Sequence, residues 1–305
     1  MISKLARLIA AAIAAPGAAF AAELPGQFNL QPPQSPIAEQ IYELHTLIMW
    51  IIFGIFVLVF GVMAIAIVKH RKSVGHKAEQ FHENTTVEII WTIVPFVILI
   101  GMAYPATKTV ISMKDTTNPD ITIKATGYQW KWGYDYINWG DKPYHVHFIS
   151  KLDAASDKAR QLKSGLDPWT VKGKDIHEKD SGEQTYLLDV DHPLVVPVDT
   201  KIRFVVTGDD VIHSWWVPAL GWKQDAIPGI VNEAWTDISE PGIYRGQCAE
   251  LCGKDHGFMP IVVKAVPPEE FKAWLDQQEA AQNPSATPAA APVAQQTPTA
   301  APSNG

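Results

Sequence analysis

The chain has 305 residues, of which 47% are apolar and 19% charged, and its 32 acidic and 25 basic residues give a net charge of −7. A chain without a basic surplus is not expected to bind nucleic acid, which requires a positively charged footprint. These averages conceal segments of very different hydropathy, so each segment is considered in turn.

The N-terminal segment has the features of a signal peptide. Lys4 and Arg7 precede an apolar run over residues 8–15, and Ala19-Phe20-Ala21 is a cleavage site of the A-x-A type. A third membrane helix is the alternative, but this apolar run is too short to span a bilayer. The sequence therefore predicts a signal peptide over residues 1–21.

Two long uncharged stretches follow, at residues 46–68 and 89–107, and each is long enough to cross ~30 Å of hydrocarbon as a helix. They predict a transmembrane hairpin over residues 22–108, with helices at about 46–68 and 87–107. A capping box of the form T-x-x-E, Thr85 to Glu88, marks the start of the second helix. The loop between the helices contains more basic than acidic residues: Lys69, Arg71, Lys72 and Lys77 against Glu79 and Glu83.

The positive-inside rule places that loop in the cytoplasm, and the signal peptide independently places the mature N-terminus outside. Everything after Lys108 is therefore expected outside the cytoplasm. For a bacterium this means a multi-pass protein of the cytoplasmic (inner) membrane with its C-terminal domain in the periplasm. Residues 109–280 contain 26 acidic and 18 basic residues, a net charge of −8, which keeps the domain soluble or attracts a basic partner.

The exported part has the pattern of an all-β domain, so the fold class is an α+β membrane protein. Short strands with turn signals are predicted at Ile121–Tyr136, Thr185–Val190, Lys201–Thr207 and Phe258–Val266. They indicate a β sandwich or barrel. In the first strand every second residue from Tyr128 to Tyr136 is aromatic, which predicts one wholly aromatic face.

Other parts of the exported region give weaker signals. The polar segment at about 140–182 predicts an insertion or long loop, and its histidines, His145, His147 and His177, are more often surface residues than metal ligands. Pro268 and the two glutamates after it begin a short amphipathic helix. Residues 281–305 are rich in Ala and Pro and predict a disordered tail.

The chain's only two cysteines lie in one loop that carries the chemistry. Cys248 and Cys252 are followed by His256 and Met259 in the spacing C-x3-C-x3-H-x2-M. Thiolate, imidazole and thioether are soft ligands that select copper, and a copper site on a β sandwich adds a histidine from an earlier strand, here His213. Two thiolates can bridge two coppers, an arrangement that favours fast electron transfer over substrate chemistry.

Three alternatives remain open for this loop. A disulfide suits an oxidising compartment, but it does not require His256 and Met259. A zinc site is disfavoured because structural zinc sites use Cys and His rather than Met. A covalently attached haem needs a C-x-x-C-H run, which the sequence lacks.

At this point the chain resembles subunit II of the bacterial, CuA-containing haem-copper oxidases, the cytochrome c oxidases. The resemblance rests on four motifs in order: Val87–Pro95, Gly127–Trp132, the segment from His213 to Gly229, and Cys248–Met259. It implies a two-helix transmembrane hairpin followed by an all-β, cupredoxin-like Greek-key domain over residues 109–280. It also implies two copper ions in a dinuclear centre.

The resemblance implies a ligand for each position of that centre. The copper ligands would be His213, Cys248, Cys252, His256, Met259 and the backbone carbonyl of Glu250. The Glu250 side chain would face a magnesium ion shared with subunit I. Without the family, Glu250 is an ordinary surface carboxylate.

The resemblance also implies where electrons and protons enter. Trp130 would receive electrons from cytochrome c, although most aromatic residues of that run are expected to pack in the core. Asp209 and Asp210 would attract basic cytochrome c. Glu88 would stand at the cytoplasmic entrance of a proton path into subunit I, a role compatible with capping the helix.

The implied function is a subunit that accepts electrons from cytochrome c and relays them to the haem-copper subunit I, which reduces oxygen and translocates protons alongside further subunits in the lipid bilayer. The isolated chain would be an electron-transfer module. A membrane-tethered copper chaperone or thiol oxidoreductase is the alternative, but it would need a thioredoxin-like βαβ scaffold. A quinol oxidase subunit lacks the two cysteines, and a nitrous oxide reductase needs a propeller domain.

Overall fold

The computed structural model describes residues 29–75, 77, 82–163 and 187–283. The predicted signal peptide, His177 and residues 284–305 of the predicted tail lie outside the described residues.

Four helices and ten strands make up the described chain. In chain order they are α1 Pro36–Lys69, α2 Thr85–Met113, β1 Ile121–Tyr128, β2 Lys131–Trp139, β3 Lys142–Ser150, α3 Ala154–Lys163, β4 Leu194–Pro197, β5 Ile202–Gly208, β6 His213–Trp216, β7 Lys223–Ala226, β8 Asn232–Thr236, β9 Gly242–Cys248, β10 Pro260–Val266 and α4 Pro268–Gln282. Single 3-10 turns occur at Lys72–Val74, Pro218–Leu220 and His256–Phe258.

Helices α1 and α2 are long and apolar enough to cross a membrane. Both extend past the predicted spans, and α1 begins ten residues early because Ser35 caps it by accepting a hydrogen bond from the amide of Ala38. Helix α2 is capped by Asn84, so the predicted cap at Thr85 is wrong by one residue. Glu88 still accepts a hydrogen bond from the Asn84 amide, at 3.4 Å.

The start of α1 is docked onto the β domain. Ser35 Oγ donates to the carbonyl of Leu220 at 2.8 Å, and the Gln34 amide donates to the carbonyl of Ala219 at 3.0 Å. Ile37 is fully buried in this contact. The membrane hairpin is thereby fixed to the exported domain through the turn after β6.

The predicted β sandwich is confirmed. One sheet has the strand order β3-β2-β1-β5-β8, and the other has the order β4-β10-β9-β6-β7. Apolar side chains of both sheets alternate inward and form one continuous core. The predicted amphipathic helix is also present as α4, which buries Phe271 and Leu275 against this core.

The aromatic run predicted as one strand, Ile121–Tyr136, is two strands. β1 ends at Tyr128 and β2 begins at Lys131, so Trp130 lies in the tight turn between them. Trp130 is half-buried, whereas three aromatic residues of β2 are fully buried on one face. These buried residues are Trp132, Tyr134 and Tyr136.

The loop predicted for residues 140–182 is wrong for its first half, which forms β3 and α3. Residues 164–186 lie outside the described chain. The predicted strand Thr185–Val190 is also displaced: Val190 makes an isolated bridge to Leu152, and the nearby strand is β4. The other two predicted strands correspond to β5 and β10.

Candidate metal centre

Strand pairing brings the predicted ligands to one end of the sandwich. His213 is the first residue of β6 and Cys248 the last of β9, and these two strands pair with Trp215 opposite Cys248. Cys252 and His256 lie in the loop from β9 to β10, and Met259 immediately precedes β10. Because β9 and β10 are antiparallel neighbours, this loop folds back over the end of β6.

The soft donor atoms form a compact cluster. Sγ of Cys248 lies 4.0 Å from Nδ1 of His213 and 3.4 Å from the carbonyl oxygen of Glu250. Sγ of Cys252 lies 3.6 Å from Nδ1 of His256 and 3.6 Å from Sδ of Met259. Cys248 therefore lies beside His213, and Cys252 lies beside His256 and Met259, while the His256 side chain also hydrogen-bonds Cys248.

The two sulfurs are 3.9 Å apart, and both cysteines are free. A disulfide requires about 2.05 Å, so the residues are placed as separate thiols. Metal–thiolate bonds are about 2.3 Å long, as for zinc, and half the sulfur separation is shorter than that. One ion can therefore contact both sulfurs, and the soft donor set fits copper.

The surroundings of the two thiols differ in their effect on acidity. Burial raises the pKa of Cys248, but hydrogen bonds with His213 and with the backbone of Glu250 and Ser214 outweigh it and leave that pKa below its usual value. Burial raises the pKa of Cys252, and the negative charge of Cys248 raises it further. A metal bound by both sulfurs must displace the proton held by Cys252, so binding releases protons.

His213 is held in a fixed orientation. Its Nε2 lies 2.9 Å from Oδ1 of Asp210, which leaves Nδ1 facing Cys248. The other oxygen of Asp210 accepts a hydrogen bond from the Gln129 amide at 2.7 Å. Burial lowers the pKa of His213, but contacts with Cys248 and Asp210 outweigh it and raise that pKa overall. A carboxylate behind a ligand histidine fixes its tautomer and ring orientation.

Two family models match the chain. Residues 23–109 match the transmembrane domain of cytochrome c oxidase subunit II, and residues 121–266 match the periplasmic domain of the same subunit. The chain belongs to the cytochrome c oxidase subunit II family. A probable cytochrome c oxidase subunit 2 of Rickettsia bellii is 37% identical over 257 residues, which are 84% of this chain and 86% of the relative.

One further relative and one solved structure are similar to the chain in sequence. The cytochrome c oxidase subunit 2 of Mycosarcoma maydis is 38% identical over 255 residues, which are 83% of this chain and 92% of the relative. The crystal structure of the periplasmic domain of subunit II of cytochrome oxidase (CoxB) of Bradyrhizobium japonicum has 38% sequence identity. It covers 54% of this chain and 98% of that chain, with a TM-score of 0.41.

As a member of the subunit II family, the chain is a copper-containing electron-transfer subunit of a haem-copper oxidase. It is a membrane subunit with a periplasmic, cupredoxin-like domain, and it associates with subunit I and cytochrome c. The copper chaperone and thiol oxidoreductase alternative is not favoured.

Trp130 lies directly against the copper loop of this subunit II. Its Nε1 donates to the carbonyl of Cys252 at 3.3 Å, and Gln129 Nε2 donates to the same carbonyl at 2.9 Å. Gly253 permits this approach, because a Cβ there would lie 3.0 Å from the Trp130 ring. Lys254 Nζ stands 5.4 Å from the centre of that ring. A half-buried indole therefore touches the peptide of a predicted ligand.

The two predicted glutamates lie apart from the donor cluster. The side chain of Glu250 is exposed, although its carbonyl faces Cys248. Glu88 is exposed in the first turn of α2. In the described chain, His213, Cys248 and Cys252 form the one group of His, Cys, Asp and Glu residues with metal-binding geometry. His147 instead pairs with Asp135 at 2.8 Å.

Sequence reasoning missed the residues that support the ligands. Asp210 is predicted to attract basic cytochrome c, and in the structure its carboxylate also contacts and orients His213. Gln129 was not singled out. The spacing of an acid three residues before a candidate ligand histidine is the signal that could have indicated Asp210.

Proposed function

We propose that this chain receives electrons from cytochrome c at Trp130 and passes them one at a time, through two copper ions, to the haem-bearing subunit I. One observation carries the dinuclear part of this proposal: two free thiols lie 3.9 Å apart, with His213 beside Cys248 and with His256 and Met259 beside Cys252. A mononuclear copper site of the His2Cys type contains only one thiolate ligand. Two thiolates with donors on either side suit two ions that share both sulfurs.

Six groups would hold the ions: His213, Cys248, the carbonyl of Glu250, Cys252, His256 and Met259. When bound, copper supplies a carrier that gains and loses one electron. The protein excludes water from this carrier, since His213 is fully buried and Met259 is 1% exposed. A rigid, dry ligand set reorganises little when its charge changes, which favours fast transfer.

Trp130 provides the contact through which electrons would reach the centre. The hydrogen bond from its indole to the Cys252 carbonyl makes a continuous path from the half-buried ring to a sulfur ligand. Asp209 is exposed beside Asp210 and would attract basic cytochrome c toward this surface. Asp210 contributes its charge while it orients His213.

Three finer roles follow from the same assignment. The exposed Glu250 side chain would bind a magnesium ion at the contact with subunit I, because carboxylates suit that hard cation. Glu88, at the cytoplasmic end of α2, would receive protons for subunit I while it caps the helix. The hairpin would anchor the chain in the bacterial cytoplasmic membrane.

The test is copper stoichiometry and electron paramagnetic resonance of the full-length chain in detergent. Two coppers per chain, with one unpaired electron shared equally by two nuclei, give a signal of seven hyperfine lines. A single copper gives four lines and would overturn the dinuclear proposal. Absence of copper together with a Cys248–Cys252 disulfide would favour the alternative function, a thiol oxidoreductase.

Cys252→Ser tests the bridging role separately. A serine oxygen is harder than a thiolate and is a poor bridge between soft ions. We expect this variant to lose the seven-line signal and part of its copper. Full retention of two coppers would show that Cys252 does not bridge.

A further inference from the structure

Helix α3 touches the copper loop through one side chain, Arg160. Its guanidinium lies over the ring of Phe258, 4.7 Å from the ring centre. Its Nη1 lies 3.5 Å from Oδ1 of Asp255, and its Nε lies 2.7 Å from Oδ1 of Asp157 on the same helix. The family assignment gives none of these contacts a role.

The two loop residues that Arg160 contacts flank the predicted ligands. Asp255 directly precedes His256, and Phe258 directly precedes Met259. One guanidinium therefore contacts the turn at both ends. The side chains of Arg160 and Asp255 are only 28% and 17% exposed, so solvent screens this pair less than a surface pair.

The turn needs such support because it is short. It is a 3-10 turn of three residues, closed by hydrogen bonds from the His256 amide to Gly253 at 3.2 Å and from the Phe258 amide to Asp255 at 2.9 Å. Lys254 also lies near Asp255, at 3.6 Å, but it is 78% exposed and a weak substitute.

Helix α3 is itself anchored, so it can transmit restraint to the loop. Asp153 caps its start by accepting hydrogen bonds from the amides of Ala155 and Ser156, and Ser156 Oγ accepts one from the amide of Leu187. Its start is therefore tied to the chain that leads into β4.

We infer that Arg160 is a positioning residue that holds the His256–Met259 turn in its ligating conformation before metal arrives. The inference rests on the proposed copper relay and assigns a role to α3, whose segment the sequence did not explain. Preorganised ligands bind a metal more tightly because less ordering remains to be done. Arginine suits the role because its planar group stacks on a ring while it donates to a carboxylate.

The experiment compares Arg160→Gln with Lys151→Gln in the full-length chain. Lys151 lines the same cavity of about 240 Å³ as Arg160, and its side chain is exposed. Each variant therefore removes one positive charge from the lining of this cavity. We expect Arg160→Gln to lose copper to a chelator at roughly tenfold lower chelator concentration, the lower end of the effect of outer-shell changes, with altered hyperfine splittings. Lys151→Gln should match the wild type in both.

Two further variants keep the inference falsifiable. Arg160→Lys retains the charge but not the planar stacking, so it should restore part of the copper retention. Asp255→Asn removes the same ion pair from the loop side and should reproduce the spectral change. If Arg160→Gln fails to fold, judged by the circular dichroism of the metal-free protein, Asp255→Asn decides the question.

The outcomes separate this inference from the proposed function. If the wild type binds no copper, the proposed function fails. If the wild type binds two coppers and Arg160→Gln, or Asp255→Asn in its place, retains them equally with the same spectrum, the positioning role is overturned. It is also overturned if the Arg160 and Lys151 variants shift the reduction potential equally without a spectral change, since charge alone would then explain the effect.

Discussion

At the scale of single residues, Asp210 orients His213, a proposed copper ligand, and is not itself among the proposed ligands. We expect Asp210→Asn to weaken copper binding about tenfold. The asparagine side chain can still accept the hydrogen bond from the Gln129 backbone amide, but it no longer places a negative charge behind His213. Loss of a negative charge near the ions should also raise the reduction potential. Competition with a chelator measures the first effect, and potentiometric titration measures the second.

Asp209→Asn is the matched control, since it removes the same charge one residue away. Asp209 is exposed, and its backbone amide, not its carboxylate, bonds to the Gly127 carbonyl. Copper affinity within about twofold of the wild type is expected. Equal losses in both variants would contradict the orienting role of Asp210.

Gly127 controls the same histidine by its lack of a side chain. A Cβ at this position would lie 2.8 Å from Cδ2 and 2.9 Å from Cγ of His213. The ring cannot move away without leaving Asp210, so Gly127→Ala should displace His213 and lower the copper content, at a stability cost of about 1–3 kcal/mol. Gly133→Ala in β2 is the control, because the added Cβ would contact the edge of the Tyr128 ring and not His213. The number of copper ions per chain is measured for both variants, and only Gly127→Ala should lower it.

At the scale of elements, the sequence predicted the two long helices from their uncharged apolar runs, and it predicted the central strands because each buries its apolar residues. It missed the turn at Trp130 because aromatic residues continue at every second position through the turn. It missed β3, although Tyr144, Val146 and Phe148 alternate there with His145 and His147, because this alternation is short and begins a segment otherwise rich in Lys, Asp and Ser. The amides of His145 and His147 donate to Glu279 and Gln282 of α4, contacts between distant parts of the chain that a local pattern does not contain.

The candidate site shows the same division. Four of its predicted ligand side chains lie in one contiguous loop, where spacing alone carries the chemistry. Of the residues that support the ligands, Gln129 and Arg160 reach the site by tertiary packing, whereas Asp210 lies only three residues before His213. Ligand residues can therefore be predicted from a sequence more readily than the residues that position them.

The docking of α1 on the β domain gives a prediction at this scale. Gly221 has a φ of +81°, and a Cβ there would lie 2.5 Å from Cα of Ala38 at the start of α1. We expect Gly221→Ala to undock the helix start and lower the unfolding temperature of the full chain in detergent. The conformation alone costs about 1 kcal/mol, and the clash adds to it.

Gly140→Ala separates these two costs. Gly140 also has a positive φ, +56°, but nothing lies within 4 Å of its added Cβ. It should show only the conformational cost. A decrease in unfolding temperature as large as that of Gly221→Ala would show that the contact with α1 contributes nothing.

At the scale of the whole molecule, the negative charge lies mostly in residues 109–280. If this acidic domain attracts basic cytochrome c as proposed, salt weakens the attraction, because the Debye length is only about 8 Å at physiological ionic strength. We expect the second-order rate of electron transfer from a basic cytochrome c to decrease steeply as ionic strength rises. Stopped-flow mixing at several salt concentrations measures this slope.

The position of the charge should matter as well as its amount. Asp209 lies near the Trp130 turn, whereas Asp141 lies at the other end of β2, roughly 30 Å away at about 3.3 Å per residue. Asp209→Asn should reduce both the low-salt rate and its salt dependence, because it removes charge from the proposed docking surface around Trp130. Asp141→Asn changes the net charge equally and should leave both nearly unchanged. Equal effects of the two variants would mean that net charge alone attracts the donor and that the docking surface is not centred on Trp130.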